Sequence, residues 1–397
     1  MIPVFSRSPR GLGVDRAGPK WTMEWMRRSG GSIERARASV ADLSRQGHDI
    51  AEFARRLTDL LPSVVPHSAA CVVTVDPATR LLTGSYKFGR LAGEHAADEQ
   101  WAHIEYGCDD PTRMALIMQA ELPAIATSHL PGGSRDSIRM RELVGPAGYD
   151  DELRTAARSD GLAWGMVTLF RDQADPPFQI DEVLEMAALS ATVATGLRSG
   201  LMSRRATSIE GSSSGPAVLI VGPDSVPKQI GLGTEELLGA LTDEAHRSPA
   251  VSVIQGLAAG ARRFALGEAS TLPRARLRSP SGRWLIAQAA PLADQDAPTG
   301  DVVITIDDAR PPEIVPLLAS ALGLTARERE VTQLVLGGVD TKGIASALSM
   351  SSYTVQDHLK SIFEKADVRS RRELMARIFF DHHAPRLADD VSSSGWH

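Results

Sequence analysis

The sequence predicts a multidomain α+β protein in which two units built on antiparallel sheets precede an all-α C-terminal unit. The first reason is size: 397 residues exceed one ordinary hydrophobic core, and a hydrophobic content of 43% is enough to fill two or three. The second is that strand-like segments form two groups separated by the Ser- and Gly-rich stretch 206–216. The third is that apolar residues recur at helical spacing throughout 313–380.

Both ends of the chain lack the apolar periodicity of folded elements. Residues 1–30 are rich in Gly, Pro, Arg and Ser, and residues 381–397 follow no regular pattern. We expect both segments to be disordered tails. Met23 is an alternative start to Met1, because nothing before it has the pattern of a folded element.

Residues 31–205 alternate between helical and strand-like patterns, which predicts an antiparallel sheet with helices. The layout, with PHSAACVVTVDPATRLLTG and LRTAARSDGLAWGMVTLFR as its two hairpin regions, resembles a GAF domain, and that resemblance implies a sensory fold. The predicted elements are a helical start at Ser32, strands Ala69–Val75 and Leu81–Tyr86, helical segments Asp98–Ile104 and Pro111–Gln119, a strand Leu122–Ala126, the hairpin strands Glu152–Ala157 and Leu162–Phe170, and the helix Ile180–Leu197.

The segment 206–216 reads as a flexible linker, and residues 217–310 follow it as a second sheet-containing unit. One early strand, then helices, then three antiparallel strands resembles a PAS-like α/β domain. The predicted strands are Ala217–Val221, Thr271–Arg278, Trp284–Ala290 and Val302–Ile306, with helices at Glu235–Leu241 and Val251–Phe264.

Residues 313–380 predict a leading helix, Glu313–Leu322, and then four short amphipathic helices. Each of the four begins at a capping residue: Thr325 with Glu328, Asp340, Ser351, and Ser370 with Glu373. The second and third are joined by a tight turn, and the third has a polar outer face. This is a helix-turn-helix, whose second helix has the diameter to enter the major groove of B-DNA.

The same residues resemble the LuxR-type helix-turn-helix. Six matches occur in order within LTARERE, TKGIASAL and SSYTVQDHLKSIFEKADVRSRREL, which together cover about one seventh of the chain. The resemblance implies double-stranded DNA as a partner and homodimers on two-fold symmetric sites, and it leaves contact with RNA polymerase open. Two positions depart from the family pattern: Gly343 where Glu is usual, and Gln356-Asp357 where Lys often comes first.

The polar face of the third helix provides the candidate DNA contacts. Gln hydrogen-bonds adenine edges, Asp accepts from cytosine N4, and Lys reaches guanine or phosphate, whereas residues near helix N-termini suit phosphate. The alternative is that this is only a solvated helix face. The predicted DNA-binding residues are Lys342, Ser352, Tyr353, Thr354, Gln356, Asp357 and Lys360.

The last helix carries more apolar surface than so small a unit is expected to bury, which usually indicates a partner. Leu374, Ile378 and Phe379 are therefore predicted to hold a dimer. The alternative is that this helix docks onto the preceding units of the same chain.

Trp101, Tyr106 and Asp109 cluster in the middle of the first unit, beside His103 and Cys108. An aromatic side chain with polar neighbours over a sheet is typical of a small-molecule site. The alternative is ordinary core and loop. Their spacing does not match the Trp/Tyr/Asp set of autoinducer-binding LuxR-type proteins, so no homoserine lactone is predicted.

Composition narrows the function further. The net charge is −6 overall, but residues 325–380 hold nine Lys and Arg against seven Asp and Glu, so non-specific DNA affinity should be modest. Two cysteines are too few for a disulfide framework, and no apolar run is long enough to span a bilayer, which predicts a cytoplasmic protein. No phosphate loop, metal-ligand spacing or nucleophile elbow is present, so we predict no enzyme activity, metal or cofactor.

Together these features predict a transcriptional regulator whose sensory units modulate the helix-turn-helix through a ligand- or partner-linked population shift. Two alternatives remain: an enzyme that processes a nucleotide or small molecule fused to a DNA-binding module, and a protein-interaction adaptor that no longer binds DNA.

Overall fold

A computed structural model shows a mixed α/β chain with two five-stranded antiparallel sheets followed by C-terminal helices, as the sequence predicts. Its described residues are 20–94, 96–203, 216–232, 234, 238, 249–279, 283–294 and 297–380. The predicted linker 206–216 lies outside them except for Pro216, as do the C-terminal tail and most of the predicted helix Glu235–Leu241.

The first unit places its sheet in the strand order β2-β1-β5-β4-β3. Long helices from both ends of the unit cover one face of this sheet. Their apolar residues form one hydrophobic cluster with the residues on that face. The elements are α1 (Lys20–Arg45), α2 (Ile50–Leu60), β1 (Ala69–Val75), β2 (Leu82–Gly89), α3 (Asp98–Gly107), α4 (Met114–Ile117), β3 (Ala124–Ala126), β4 (Tyr149–Ser159), β5 (Leu162–Asp172) and α5 (Ile180–Met202).

One prediction for this unit is wrong. Residues 20–30, expected in a disordered tail, are the first turns of α1. No proline interrupts 20–45, so once the apolar face formed by Ala36, Val40 and Leu43 is buried, the helix can extend toward the N-terminus. Residues 1–19 of the predicted tail are outside the described part of the chain.

The second sheet, in the order β7-β6-β10-β9-β8, repeats the relative strand order of the first. Sequence patterning missed β7, because all of its residues are exposed at the sheet edge and show no apolar alternation. The elements are β6 (Ala217–Val221), β7 (Pro227–Ile230), α6 (Pro249–Ala265), β8 (Arg274–Arg278), β9 (Trp284–Asp294) and β10 (Ala297–Asp308).

The two sheet units share hydrophobic core rather than meeting through a thin contact. One apolar cluster includes Val73 and Met166 from the first sheet and Leu257 and Ile304 from the second unit. At its edge the turn after β1 is held by a buried ion pair: Arg276 Nε and Nη2 donate to the two carboxylate oxygens of Asp76 at 2.7 and 2.6 Å.

The C-terminal unit packs on α5 through its leading helix, which also contacts the end of the unit. The predicted helices are all present, and a π-helical turn, Ala376–Phe380, ends the described chain. The helices are α7 (Pro311–Ala321), α8 (Ala326–Leu336), α9 (Thr341–Ala347), α10 (Ser352–Ala366) and α11 (Arg371–Met375).

Candidate nucleic-acid interface and ligand cavity

Side chains cap the N-terminus of each of the four C-terminal helices. The Thr325 hydroxyl accepts from the backbone N–H of Glu328 at 3.3 Å, and Glu328 Oε2 accepts from the Thr325 N–H at 2.7 Å. Asp340, Ser351 and Ser370 accept from the N–H three residues later at 2.8, 3.0 and 3.2 Å. Each cap satisfies a backbone donor that the helix itself leaves open, so the helix starts are fixed by local sequence.

Glu328 also ties α8 to α10. Its carboxylate accepts from Lys365 Nζ at 2.6 Å and from the Ser361 hydroxyl at 2.7 Å. Burial raises the pKa of Glu328, but these hydrogen bonds and those from Thr325 outweigh it and hold the pKa at about 2. Arg371 of the last helix donates to the carbonyl oxygen of Val339, just before α9, at 2.8 Å.

The turn between α9 and α10 orients α10 against the rest of the unit. Ser349 adopts a left-handed φ of 54°, and Val355, Leu359 and Ile362 are buried along the inner face of α10. His358 is half-buried beside them. The opposite face of α10 is therefore turned to solvent on a helix whose start and packing are both constrained.

Every residue predicted to contact DNA is exposed. The side chain of Tyr353 is 74% exposed although it is aromatic. The exposed set is Lys342 on α9 and Ser352, Tyr353, Thr354, Gln356, Asp357 and Lys360 on α10.

Gly343 has a local structural reason. A Cβ at this position would lie 2.7 Å from Val339 Cγ1 and 3.1 Å from the capping oxygen Oδ1 of Asp340. The residues just before α9 therefore lie close to Gly343 and leave little room for a side chain at this position, where the LuxR-type pattern usually has Glu.

The prediction of a dimer surface on the last helix is wrong for Leu374 and Ile378. Both are fully buried within one chain, in the cluster that includes Leu318 of α7 and Val331 of α8. The apolar surplus is absent because α7 supplies the other wall of this core. The side chain of Phe379, the third predicted dimer residue, lies outside the described residues.

A cavity of about 390 Å³ lies between the first sheet and the helices over it. Of the three predicted ligand residues, only Trp101 lines it. The Tyr106 hydroxyl accepts from the Leu82 N–H at 3.0 Å, and its ring packs against α6 at Gly256. Asp109 is exposed and pairs with Arg113 at 2.7 Å.

Sequence reasoning missed the polar residues of this cavity. Lys87 forms an ion pair with Asp98, and Arg139 Nε donates to both carboxylate oxygens of Glu152 at 2.9 Å. All but Glu152 line the cavity wall. Cys71 also lines the cavity. Burial raises the pKa of its thiol, which favours the unreactive protonated form.

The C-terminal unit matches a known family. The model of "Bacterial regulatory proteins, luxR family" matches residues 322–378. Transcriptional regulatory protein DesR of Bacillus subtilis is 44% identical over 61 residues, which are 15% of this chain and 31% of that protein. Spore germination protein GerE of Bacillus subtilis is 38% identical over 55 residues, 14% of this chain and 74% of that protein.

Solved structures resemble the chain only weakly. Escherichia coli SdiA is 12% identical with a TM-score of 0.31, covering 87% of this chain and 95% of SdiA. The A. aeolicus nlh2 GAF domain is 9% identical with a TM-score of 0.29, covering 43% of this chain and 98% of that domain. At these low TM-scores, the structural similarities support no conclusion about the first two units.

Residues 322–378 therefore form a LuxR-type helix-turn-helix domain. The chain spans about a third of the length of the first curated relatives it matches, so the family assignment concerns this domain. Among the helices in the described part of the chain, none has the length and apolar character needed to span a bilayer.

Proposed function

We propose that this chain is a sequence-specific, DNA-binding transcriptional regulator whose LuxR-type domain is controlled by the two sheet-containing units before it. The observation that carries the proposal is the outer face of α10, which is polar, exposed, and presented by a capped and packed helix. A regulator of this kind acts where DNA is, so the proposal includes a cytoplasmic location and a non-enzymatic role.

The exposed residues divide by chemistry into those that read bases and those that bind the backbone. Gln356 is suited to hydrogen-bond both adenine N6 and N7, and Asp357 to accept from cytosine N4. Lys360 is suited to guanine or phosphate, whereas Lys342 and Thr354 lie where phosphate contacts would position the domain. The mixture of both types on one surface favours specific over purely electrostatic binding.

The test uses duplex sites selected from a genomic library and gel shifts with the full chain. Gln356→Ala should relax specificity at one base position by about 1–3 kcal/mol, whereas Lys342→Ala should weaken all sequences alike and flatten the salt dependence. Gln333, exposed on α8 away from the proposed contacts, provides the control Gln333→Ala, which should change neither.

Two outcomes would contradict the proposal. Failure of the full chain to bind any duplex at low salt would favour the adaptor reading, for which the acidic Asp357 is the motivating residue. Equal effects of Gln356→Ala and Lys342→Ala on every site would overturn the division of roles.

We further propose that two copies bind a two-fold symmetric site, since a domain with so small a positive charge gains affinity by pairing. Half-sites should then recur at about 10–10.5 bp or a multiple of it. Leu374 and Ile378 are buried in the chain, so the proposed pairing does not rest on these two residues. Selected sites that contain single, unpaired half-sites would argue against the pair.

The control mechanism we propose is a population shift carried by α5 and α7. It is supported by the packing of α7 against both α5 and the last turn of the DNA-binding domain. Removing residues 1–310 should change DNA affinity or self-association. Unchanged affinity and self-association after that deletion would mean that the sheet units exert no control.

A further inference from the structure

We propose that the edge strand β8 links the end of α5 to the start of α7, so that a displacement of one helix is transmitted to the other through the second sheet unit. The inference rests on the proposed function, because α7 leads into the LuxR-type domain. It adds a route to the direct packing of α7 on α5, and it assigns to the second unit a part in that coupling.

The side chains of β8 are divided by face. Ala275 and Leu277 are 1% and 2% exposed and belong to the apolar cluster shared by the two sheet units. Successive residues of a strand point to opposite faces, so Arg274, Arg276 and Arg278 lie together on the other face. Between them, these three arginines bind the first unit, the end of α5 and the start of α7.

Arg278 binds the C-terminal end of α5. Its guanidinium donates to the carbonyl oxygens of Leu201 and Ser203, and the bond to Ser203 is 2.8 Å long. The last carbonyl groups of a helix have no partner within it and form the negative end of its dipole, so a cation is favourable there. The guanidinium carbon also lies over the ring of Trp284, its cross-strand neighbour on β9, at 5.5 Å from the centroid. Arg278 therefore joins α5 to the second sheet.

Arg274, at the other end of β8, binds the start of α7. Its Nη2 donates to Glu313 Oε1 at 3.2 Å. Glu313 Oε2 accepts from the backbone N–H of Arg310, the N-cap residue of α7, at 2.8 Å. Arg276 Nη1 makes a longer contact to the carbonyl oxygen of Glu313, at 3.4 Å. Glu313 therefore fixes the first turn of α7 and also ties that turn to β8.

Arg276 anchors the middle of β8 to the first unit. In addition to its two side-chain bonds with Asp76, its backbone N–H donates to Asp76 Oδ2 at 3.0 Å. β8 is the last strand of its sheet, so a donor on its outer edge has no further strand to pair with. The first unit thus supplies the partner that the edge of the second sheet needs.

The strand is held along its whole length. All five of its residues pair with β9, and it spans about 13 Å between Arg274 and Arg278, four residues at the rise of a strand. A displacement of α5 that keeps the Arg278 contacts must therefore move β8, and with it the contact between Arg274 and Glu313. The coupling is reciprocal, so a displacement of α7 acts on α5 by the same route.

The test is a double-mutant cycle on the full chain, read by amide hydrogen exchange of residues 311–321 in α7. Arg278→Gln should speed that exchange at least about threefold, although the bonds to Leu201 and Ser203 that it removes are at the end of α5. In the Arg274→Gln background the same change should have at least about threefold less effect, because the link to α7 is already cut; residues more than about 10 Å apart usually act independently. Glu313→Gln leaves the sequence of β8 unchanged and should speed exchange at the end of α5.

The matched control is Arg262→Gln on α6. Arg262 also donates to two carbonyl oxygens, those of Gly222 and Gly300 at 2.5 and 3.2 Å, but both belong to the second unit. This variant should leave exchange in α5 and α7 within about twofold of wild type. Exchange in β5 monitors the stability of the whole chain, and the rates in both helices are compared relative to it.

Three results would overturn the inference: unchanged α7 exchange in Arg278→Gln, an undiminished effect in the Arg274→Gln background, or an equal effect of Arg262→Gln. Gel shifts of the wild-type chain test the proposed function separately. Duplex binding without the exchange coupling would show that only the link through β8 has failed. Exchange coupling in a chain that binds no duplex would show that only the proposed function has failed.

Discussion

Replacing Glu328 with glutamine should loosen the DNA-binding domain selectively, because this carboxylate joins α8 to α10. Glutamine still reaches the Thr325 N–H, so the cap geometry is retained and the negative charge is what changes. The side chain of Glu328 is 5% exposed, whereas that of Lys365 is 35% exposed and is partly rehydrated when its partner is removed.

The magnitude follows from the depressed pKa of Glu328. A fall from 4.5 to about 2 corresponds to about 3 kcal/mol of folding stability at neutral pH. Solvent around Lys365 reduces this, so we expect a loss of about 1.5–3 kcal/mol. Because the folded pKa lies below the unfolded one, the contribution is complete above about pH 4.5 and disappears as the pH falls through about 2.

The assay is amide hydrogen exchange of the full chain, read on peptides from α8 and α10. Each 1.4 kcal/mol is a tenfold change in opening, so exchange in Glu328→Gln should be about 10–100 times faster than in wild type at pH 7. At pH 3 more than half of the carboxylate's contribution is gone, and the ratio of the two rates should shrink accordingly.

Glu330 provides the matched control on the same helix. It pairs with Arg327 at 2.5 Å, but both side chains are well exposed, so Glu330→Gln should cost well under about 1 kcal/mol. A rate ratio for Glu328→Gln that is the same at pH 3 and pH 7 would refute the reasoning, as would an equal effect of Glu330→Gln.

Three further changes test the packing. Leu374→Ala should destabilise the DNA-binding domain by about 2–5 kcal/mol, because the side chain is fully buried, and faster exchange in α8 would report it. Asp76→Asn leaves Arg276, whose side chain is 12% exposed, without its ion-pair partner and should cost about 3–5 kcal/mol, seen as separate urea transitions for the two sheet units. Gly196→Ala would place a Cβ 2.0 Å from Phe53 Cζ and should lower the melting temperature through a cost of about 1–3 kcal/mol.

Each of these changes has a counterpart of similar chemistry at a more open position. Met375→Ala alters an exposed side chain beside Leu374, and Asp301→Asn breaks a pair with the half-exposed Lys228. Gly107→Ala brings its Cβ only to ordinary contact, 3.6 Å from His103 Nδ1. All three should stay within about 0.5–1 kcal/mol of wild type, and a counterpart as damaging as its partner would show that burial is not the cause.

The parts of the structure that could be predicted are those encoded by neighbours in sequence. The caps at Thr325, Asp340, Ser351 and Ser370 each need a partner only three residues away, and the exposed face of α10 follows from helical spacing alone. The strands of both sheets were found for the same reason, except β7, whose four polar or exposed residues carry no alternation.

The cavity could not be predicted because its chemistry depends on long-range pairing. Arg139 meets Glu152 only because the π-helical turn Met140–Val144 packs over β4, and nothing in the local sequence pattern shows that packing. Trp101 was predicted because it is an aromatic residue close to polar ones in sequence. The same criterion also predicted Tyr106, which packs at the joint with the second unit, and Asp109, which faces solvent.

The burial of Leu374 and Ile378 bears on how a signal would reach the DNA-binding domain. These residues close a core whose other wall is α7, and α7 in turn packs on α5 of the first unit. A shift of α5 would therefore change the packing under the last turn of the domain without touching α10. The proposed DNA-reading face of α10 is exposed while the sheet units are docked. This arrangement therefore favours control of how the domain is positioned or paired, rather than control by covering that face.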